Sequence, residues 1–176
     1  MRWLLLSLVL IFAATAGAQA QSGWIDEAKL GLVDHDIALG GNDTEPGIDV
    51  NGELLFTSPG FLAAIGAPRP HLGGSVSTAG ATSYVYFGLT WTAALSDAVF
   101  AGLGLGGAVH DGQLDETEPH RKRLGSRLLF HAYGELGYRL TATTSVSIFL
   151  DHMSNADLAR HNQGMTNIGL RAGLKF

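Results

Sequence analysis

Apolar and polar positions alternate with a period of two along most of the chain, and no amphipathic helical pattern interrupts them. In segment 84–93, Val85, Phe87, Leu89, Trp91 and Ala93 share one face, opposite Tyr84, Tyr86, Gly88, Thr90 and Thr92. Segment 99–109 sets Val99, Ala101, Leu103, Leu105 and Val109 against Gly102, Gly104, Gly106 and Ala108. Segment 128–140 sets Leu128, Phe130, Ala132, Leu136, Tyr138 and Leu140 against Arg127, His131, Tyr133, Glu135 and Arg139, a second face too charged for the dry core of a soluble sandwich. In segment 145–154, Val146, Ile148 and Leu150 are in phase with His152 and Ser154. The final segment carries Ile168, Leu170, Ala172, Leu174 and Phe176 on one face, with Arg171 and Lys175 on the other.

Less regular strands fit at 26–36, 48–57 and 69–78, bringing the count to eight, each near the ~9 to 11 residues of a tilted membrane strand. The pattern predicts an all-β protein, an eight-stranded antiparallel up-and-down transmembrane β-barrel. Such a barrel is just wide enough to be filled by side chains, so inward glycines and paired charges such as Glu135 with Arg139 are expected inside. With both chain ends in the periplasm, 94–97 and 141–144 become short periplasmic turns, and 37–47, 110–125 and 155–165 become longer outer loops. The connection from Ser58 to Pro68 is long for a periplasmic turn and fits this scheme least well.

The N-terminal twenty residues do not share the pattern. Arg2, an apolar run from Trp3 to Ala14 and the small residues ending in Ala18-Gln19-Ala20 predict a secretory signal peptide over 1–20, leaving 21–176 as one barrel domain. The apolar run is short for a spanning helix, and no other segment is continuously apolar for the roughly 18 residues such a helix needs. A membrane protein built from this chain must therefore close its strands into a barrel. Cysteine is absent, so an exported domain gains nothing from disulfides. Sixteen acidic residues against 11 basic ones argue against nucleic acid as a partner.

Candidate chemistry concentrates in Asp151-His152-Met153-Ser154-Asn155-Ala156, at the end of the 145–154 segment. Residues i and i+2 share a face of a strand, so His152 and Ser154 stand on the apolar, lipid-facing side at the outer end. There imidazole can act as base to a serine nucleophile, the logic of a serine hydrolase. Asn155 is a candidate oxyanion donor, and equally a turn residue. The Gly102–Gly107 run lacks the following helix of a nucleotide-binding loop and reads as packing space. Asp34-His35-Asp36 and His110-Asp111 lack the count and spacing of a metal site and read as solvated loop ends; no metal or other cofactor is called for. Arg121, Lys122 and Arg123 form a basic cluster that suits a phosphate group and also fits an ordinary solvated loop.

The chain resembles the PagL-type lipid A 3-O-deacylases, also called acyloxyacyl hydrolases, which are small outer-membrane barrels. The resemblance rests on His152-Met153-Ser154-Asn155-Ala156, Leu158, the Asn162-Gln163-Gly164-Met165 turn and the final strand ending in Phe176; it covers the last third well and the rest by strand pattern and length. It implies a metal-free ester hydrolase of the bacterial outer membrane, with lipid A of lipopolysaccharide as substrate, outer-membrane lipids as surroundings, Ser154 as nucleophile and His152 as base. It also implies a third catalytic residue, a glutamate two positions after the glycine of the turn, where this chain has Thr166. Threonine has the right strand parity but no charge; Thr166, Asn167, Asp157 or a water are the candidates to orient the imidazole. Two other function classes stand beside the deacylase: a non-catalytic structural or surface-interaction barrel that has lost the acid, and a small pore, which a filled interior disfavours. Oligomeric state is not legible in the sequence.

Overall fold

The structure is a computed structural model that describes residues 23–37, 45–115 and 118–176; the expected signal peptide and most of the first outer loop lie outside them. Eight strands close into a barrel, each antiparallel to its neighbours in chain order: β1 (Ile25–His35), β2 (Gly47–Phe56), β3 (Arg69–Ser77), β4 (Tyr84–Ala94), β5 (Val99–His110), β6 (Leu128–Arg139), β7 (Thr144–Ser154) and β8 (Met165–Lys175). Closure is made by β1 against β8, from Glu27 opposite Lys175 to Asp34 opposite Ile168. Each strand is thereby hydrogen-bonded on both sides, which removes the free edge that hydrocarbon would not tolerate. The eight strand segments read from the period of two coincide with these elements to within about three residues at every boundary.

Alternation sorts the side chains as the pattern predicts, except at the end of β8, where Leu174 is buried and Lys175 exposed because the strand is leaving the barrel. Phe87, Leu103, Leu105, Phe130, Leu136, Ile148, Leu150 and Leu170 are exposed on the outer wall, while Tyr86, Tyr133, Phe149, Glu135, Asp151 and Arg171 are buried inside. Space for the inner rings comes from glycine: a Cβ on Gly104 would lie 2.1 Å from the Tyr133 ring, and one on Gly73 would lie 2.3 Å from the Tyr86 ring.

The interior is a self-neutralising polar core. Arg171 donates to Glu53 at 2.8 Å and lies 3.0 Å from Glu135, with its guanidinium 3.9 Å from the centre of the Phe149 ring. Glu53 also accepts from Tyr86 and Tyr133, both at 3.0 Å, and Glu135 accepts from Lys29 and Ser147. The expected pairing of Glu135 with Arg139 is not formed. Four residues of extended strand separate the two by about 13 Å, whereas Lys29 and Arg171 reach Glu135 across the narrow lumen. Arg139, at the strand end, instead donates to the carbonyl oxygens of Ser96 and Asp97 and packs over Phe100. Nearer the outer loops, Asp151 accepts from Tyr84 (2.7 Å), His131 (2.9 Å) and Asn167 (2.9 Å).

The connection that suited a plain turn least, 58–68, contains a short 3-10 helix (Gly60–Ile65) ending on Gly66 in the left-handed region at φ 89°. Six helical residues are too few to show a helical period in sequence.

At the other end the loops fold over the mouth of the barrel. Glu45 is fully buried there, accepting from the backbone N–H groups of Lys122 (2.7 Å) and Thr82 (2.8 Å) and lying 3.7 Å from the His35 ring. Burial alone would raise the Glu45 carboxyl, but the His35 ring and the two amides outweigh it and lower it from the ordinary 4.5 to about 2. A carboxyl held down in this way stabilises the folded cap fully above pH 4.5 and loses that contribution as the pH falls towards 2. The amide resonances of Thr82 and Lys122 should therefore titrate with a midpoint near 2. Glu45→Gln should abolish that titration; a midpoint near 4.5 would contradict the capping role.

Candidate active site

β7 pairs with β6 on one side and β8 on the other, which places His152 opposite Ala132 and Thr166, and Ser154 opposite Phe130. Because successive residues of a strand point to opposite faces, Asp151 and Met153 are buried inside while His152 is exposed on the outer wall and Ser154 half-exposed there. The outer wall around them is apolar, with Phe130, Leu150 and Ile168 exposed nearby.

His152 Nδ1 lies 2.8 Å from Thr166 Oγ1. Thr166 is itself nearly covered, at 7% exposure, so the contact is shielded from bulk water. The other groups that could have oriented the ring are engaged elsewhere. Asn167 points inward to Tyr84 and Asp151, and Asp157 Oδ1 accepts from Asn162 Nδ2 at 3.0 Å. Ser154 stands two residues from His152 on the same face, with no hydrogen bond to the imidazole and no side-chain partner among the described residues.

Gly164 forms the third wall of the imidazole pocket. A Cβ there would lie 2.9 Å from His152 Cε1 and 3.1 Å from Nε2, so the ring sits against bare backbone. That backbone is held from inside. Lys122 Nζ donates to the Gly164 carbonyl and pairs with Asp36 Oδ1, each at 2.8 Å. The same end of β1 also reaches β8: Asp36 N–H donates to Asn167 Oδ1, and Ile37 N–H to the Thr166 carbonyl, both at 2.8 Å. The segments flanking both sides of the imidazole are therefore fixed by one cluster at the barrel rim.

Asn155 is 3% exposed and joins the outer loops. Its Nδ2 donates to the carbonyls of Leu124 (2.8 Å) and His161 (2.6 Å), and its backbone N–H to Asn162 Oδ1 (2.9 Å). Every donor of Asn155 is thus committed to loop structure, the turn-and-loop alternative raised by its sequence position. Just beyond it, Ala156 (φ 54°) and Asp157 (φ 60°) are consecutive left-handed residues. Such non-glycine conformations store backbone strain two and three residues after Ser154.

The basic cluster is divided by the loop fold. Lys122 is buried with its ammonium on Asp36 and Gly164, and Arg121 donates to the Gly80 carbonyl at 2.7 Å. Arg123 bonds Gln163 through its backbone, and its guanidinium has no partner among the described residues. Among those residues no group of three or more His, Asp or Glu side chains is placed to hold a metal ion. Gly164 and Asn162 are residues of this site that the sequence did not single out for a role, although the turn composition of 162–164 hinted at them; Asp36, expected with His35 and His110 at solvated loop ends, is instead buried with both of them where the loops close over the barrel mouth.

Comparison with known proteins bears on this arrangement. A family model described as lipid A 3-O-deacylase (PagL) matches residues 64–175. No curated protein matches the chain in sequence. Among solved structures, the outer membrane enzyme PagL superposes with a TM-score of 0.59 at 17% identity, covering 86% of this chain and 99% of its own. A de novo designed transmembrane β-barrel gives 0.53 at 10% identity over 89% and 98%. At those identities the superpositions establish the fold, and the family model carries the relationship.

Gly164→Ala should drive the imidazole off Thr166 while leaving the barrel folded. The measurement is the His152 ring resonances together with the heat-dependent gel mobility of the folded barrel; unshifted ring resonances would show that Gly164 does not set the pocket.

Proposed function

The chain belongs to the lipid A 3-O-deacylase (PagL) family, and from that premise we propose that it hydrolyses the ester-linked 3-O-acyl chain of lipid A with Ser154 as nucleophile and His152 as base. The observation that carries the reading is the His152 to Thr166 contact on the outer wall, two residues from a partnerless serine hydroxyl. With Nδ1–H donated to Thr166 Oγ1, Nε2 keeps the lone pair that a base needs. Ser154 Oγ attacks the ester carbonyl carbon as its proton passes to Nε2. The tetrahedral intermediate then collapses, and the sugar 3-oxygen leaves with that proton. Water, deprotonated by the same nitrogen, releases the fatty acid from the acyl-serine. A longer serine–imidazole distance in the free protein is compatible with this, since catalytic hydrogen bonds commonly tighten only on substrate binding.

Thr166 orients the ring without a charge. An acid at this position stabilises the imidazolium, and losing the acid of a serine-protease triad costs on the order of 10⁴ in turnover, so this chain is a slow enzyme by that measure. Asn155 is assigned an orienting role, holding the loop that follows the nucleophile. The location follows from the substrate: a lipid held in a leaflet approaches through the membrane plane and meets the wall of a barrel, not its lumen. We place the protein in the bacterial outer membrane as a multi-pass β-barrel, after removal of residues 1–20, with the loop end outward.

Mass spectrometry of lipid A from an outer membrane bearing the protein should show loss of one hydroxyacyl chain, and Ser154→Ala should restore the intact lipid. Turnover should fall by at least tenfold in Thr166→Val, where Nδ1 loses its partner, and rise in Thr166→Glu. Intact lipid A with the native, folded protein would instead support the second reading, a scaffold without chemistry, which the uncharged Thr166 favours. Arg121 and Arg123 are assigned to the lipid A phosphates, with Lys122 bracing the loop from within. Replacing both arginines by Ser should raise KM several-fold at low salt with kcat unchanged; an unaltered KM would remove them from substrate recognition.

A further inference from the structure

The 58–68 connection plays no part in the chemistry above. It lies at the end of the barrel that carries both strand termini, 23–25 and 175–176, and it contains no charged residue. None of its helical residues is buried: Phe61 is 81% exposed and Ile65 53%. Six such residues in water would be a liability for a short turn. Their backbone is nevertheless folded on itself, with Leu62 N–H donating to Pro59 O (2.9 Å), Gly66 N–H to Ala63 O (3.1 Å) and Ala67 N–H to Leu62 O (3.0 Å). Internal satisfaction of this kind is what a segment needs to leave water.

Its placement supplies the second observation. Trp91 belongs to the outward face of β4, in line with Phe87 and Leu89, and its indole Nε1 donates to the Ile65 carbonyl at 2.8 Å. Gly66 lies against the same ring, where a Cβ would be 3.5 Å from it. The connection is therefore folded against the outer wall, continuous with the apolar band that faces lipid. Around this rim Trp24, Leu95, Tyr138 and Phe176 are also exposed, the composition of an interfacial belt.

We propose that segment 58–68 is a lipid-embedded foot, with Phe61 and Ile65 among phospholipid acyl chains of the leaflet at the termini end and the Trp91 indole at the boundary with the headgroups. Lipid is the occupant because the lobe continues the lipid-facing band, carries no charge, and is joined to that band by an interfacial tryptophan hydrogen bond. The inference rests on the barrel crossing a membrane and is independent of catalysis.

The chain has no cysteine, so single labels are clean. Phe61→Cys and, as a water-exposed reference in the 95–98 turn at the same end, Asp97→Cys carry an environment-sensitive fluorophore in phosphatidylcholine vesicles. Folding of each is checked by heat-dependent gel mobility, and Ala63→Cys, also exposed, replaces Phe61→Cys should the latter not fold. The expected result is blue-shifted emission at position 61, with quenching by acyl-chain nitroxide lipids several-fold stronger than at position 97 and quenching by iodide several-fold weaker. Equal behaviour at the two positions would place the segment in water and overturn the proposal. So would protection of position 61 from both quenchers, the result expected if a second copy of the chain covered it.

Discussion

A backbone that crosses hydrocarbon must satisfy its own hydrogen bonds, and in this chain the β1 to β8 pairing completes that requirement. Closing only eight strands leaves a lumen that side chains fill, so the charged groups turned inward are held by protein partners. Arg171 stands between Glu53 and Glu135, and Asp151 gathers Tyr84, His131 and Asn167. Two levels of one lumen thus meet the same demand, one with opposite charges and the other with a carboxylate ringed by donors.

The filled lumen leaves the outer wall as the place for the candidate site. Polar side chains on the lipid side of a barrel are costly near the midplane and cheaper towards the interfaces, which explains why His152 and Ser154 lie at the last turn of β7 and not lower on the wall. There they draw on groups that are not lipid-exposed: Thr166 from the neighbouring strand, Gly164 from the loop, and through Gly164 the Lys122 and Asp36 pair at the rim. The site is assembled from the outer wall, but its stiffness comes from the inside of the mouth.

Much of this was legible in the sequence, because alternation is a local property. The strands from 84 to 94 and from 128 to 139, and the phase that puts His152 beside Ile148 and Leu150, follow from a period of two alone. What alternation cannot reveal is which inward residues meet across the lumen, since that depends on strand stagger; Lys29 and Arg171 as partners of Glu135 are therefore visible only in the closed barrel. The loop contributions were hidden for another reason. Lys122 sits in a run with Arg121 and Arg123 that reads as one basic patch, yet the loop buries its middle member on Asp36 and ties Arg121 to Gly80 and Glu45, which leaves only the Arg123 guanidinium unengaged among the described residues. The helix at 60–65 was hidden by its brevity, although the length of the connection around it marked it as something other than a turn.

Adjacent residues of β7 live in different media: Asp151 in an ionic lumen, His152 in lipid, with one strand's thickness between them. Register in this strand is consequently a matter of chemical identity. Sliding β7 by a single position would hand the carboxylate to the membrane and the imidazole to the tyrosines, and because the ring is closed, no neighbouring strand could absorb the error at a free edge. Along β7 and its neighbours the pairing runs without a register shift, so the barrel acts as a counting device that keeps the serine and the histidine on the lipid-facing side.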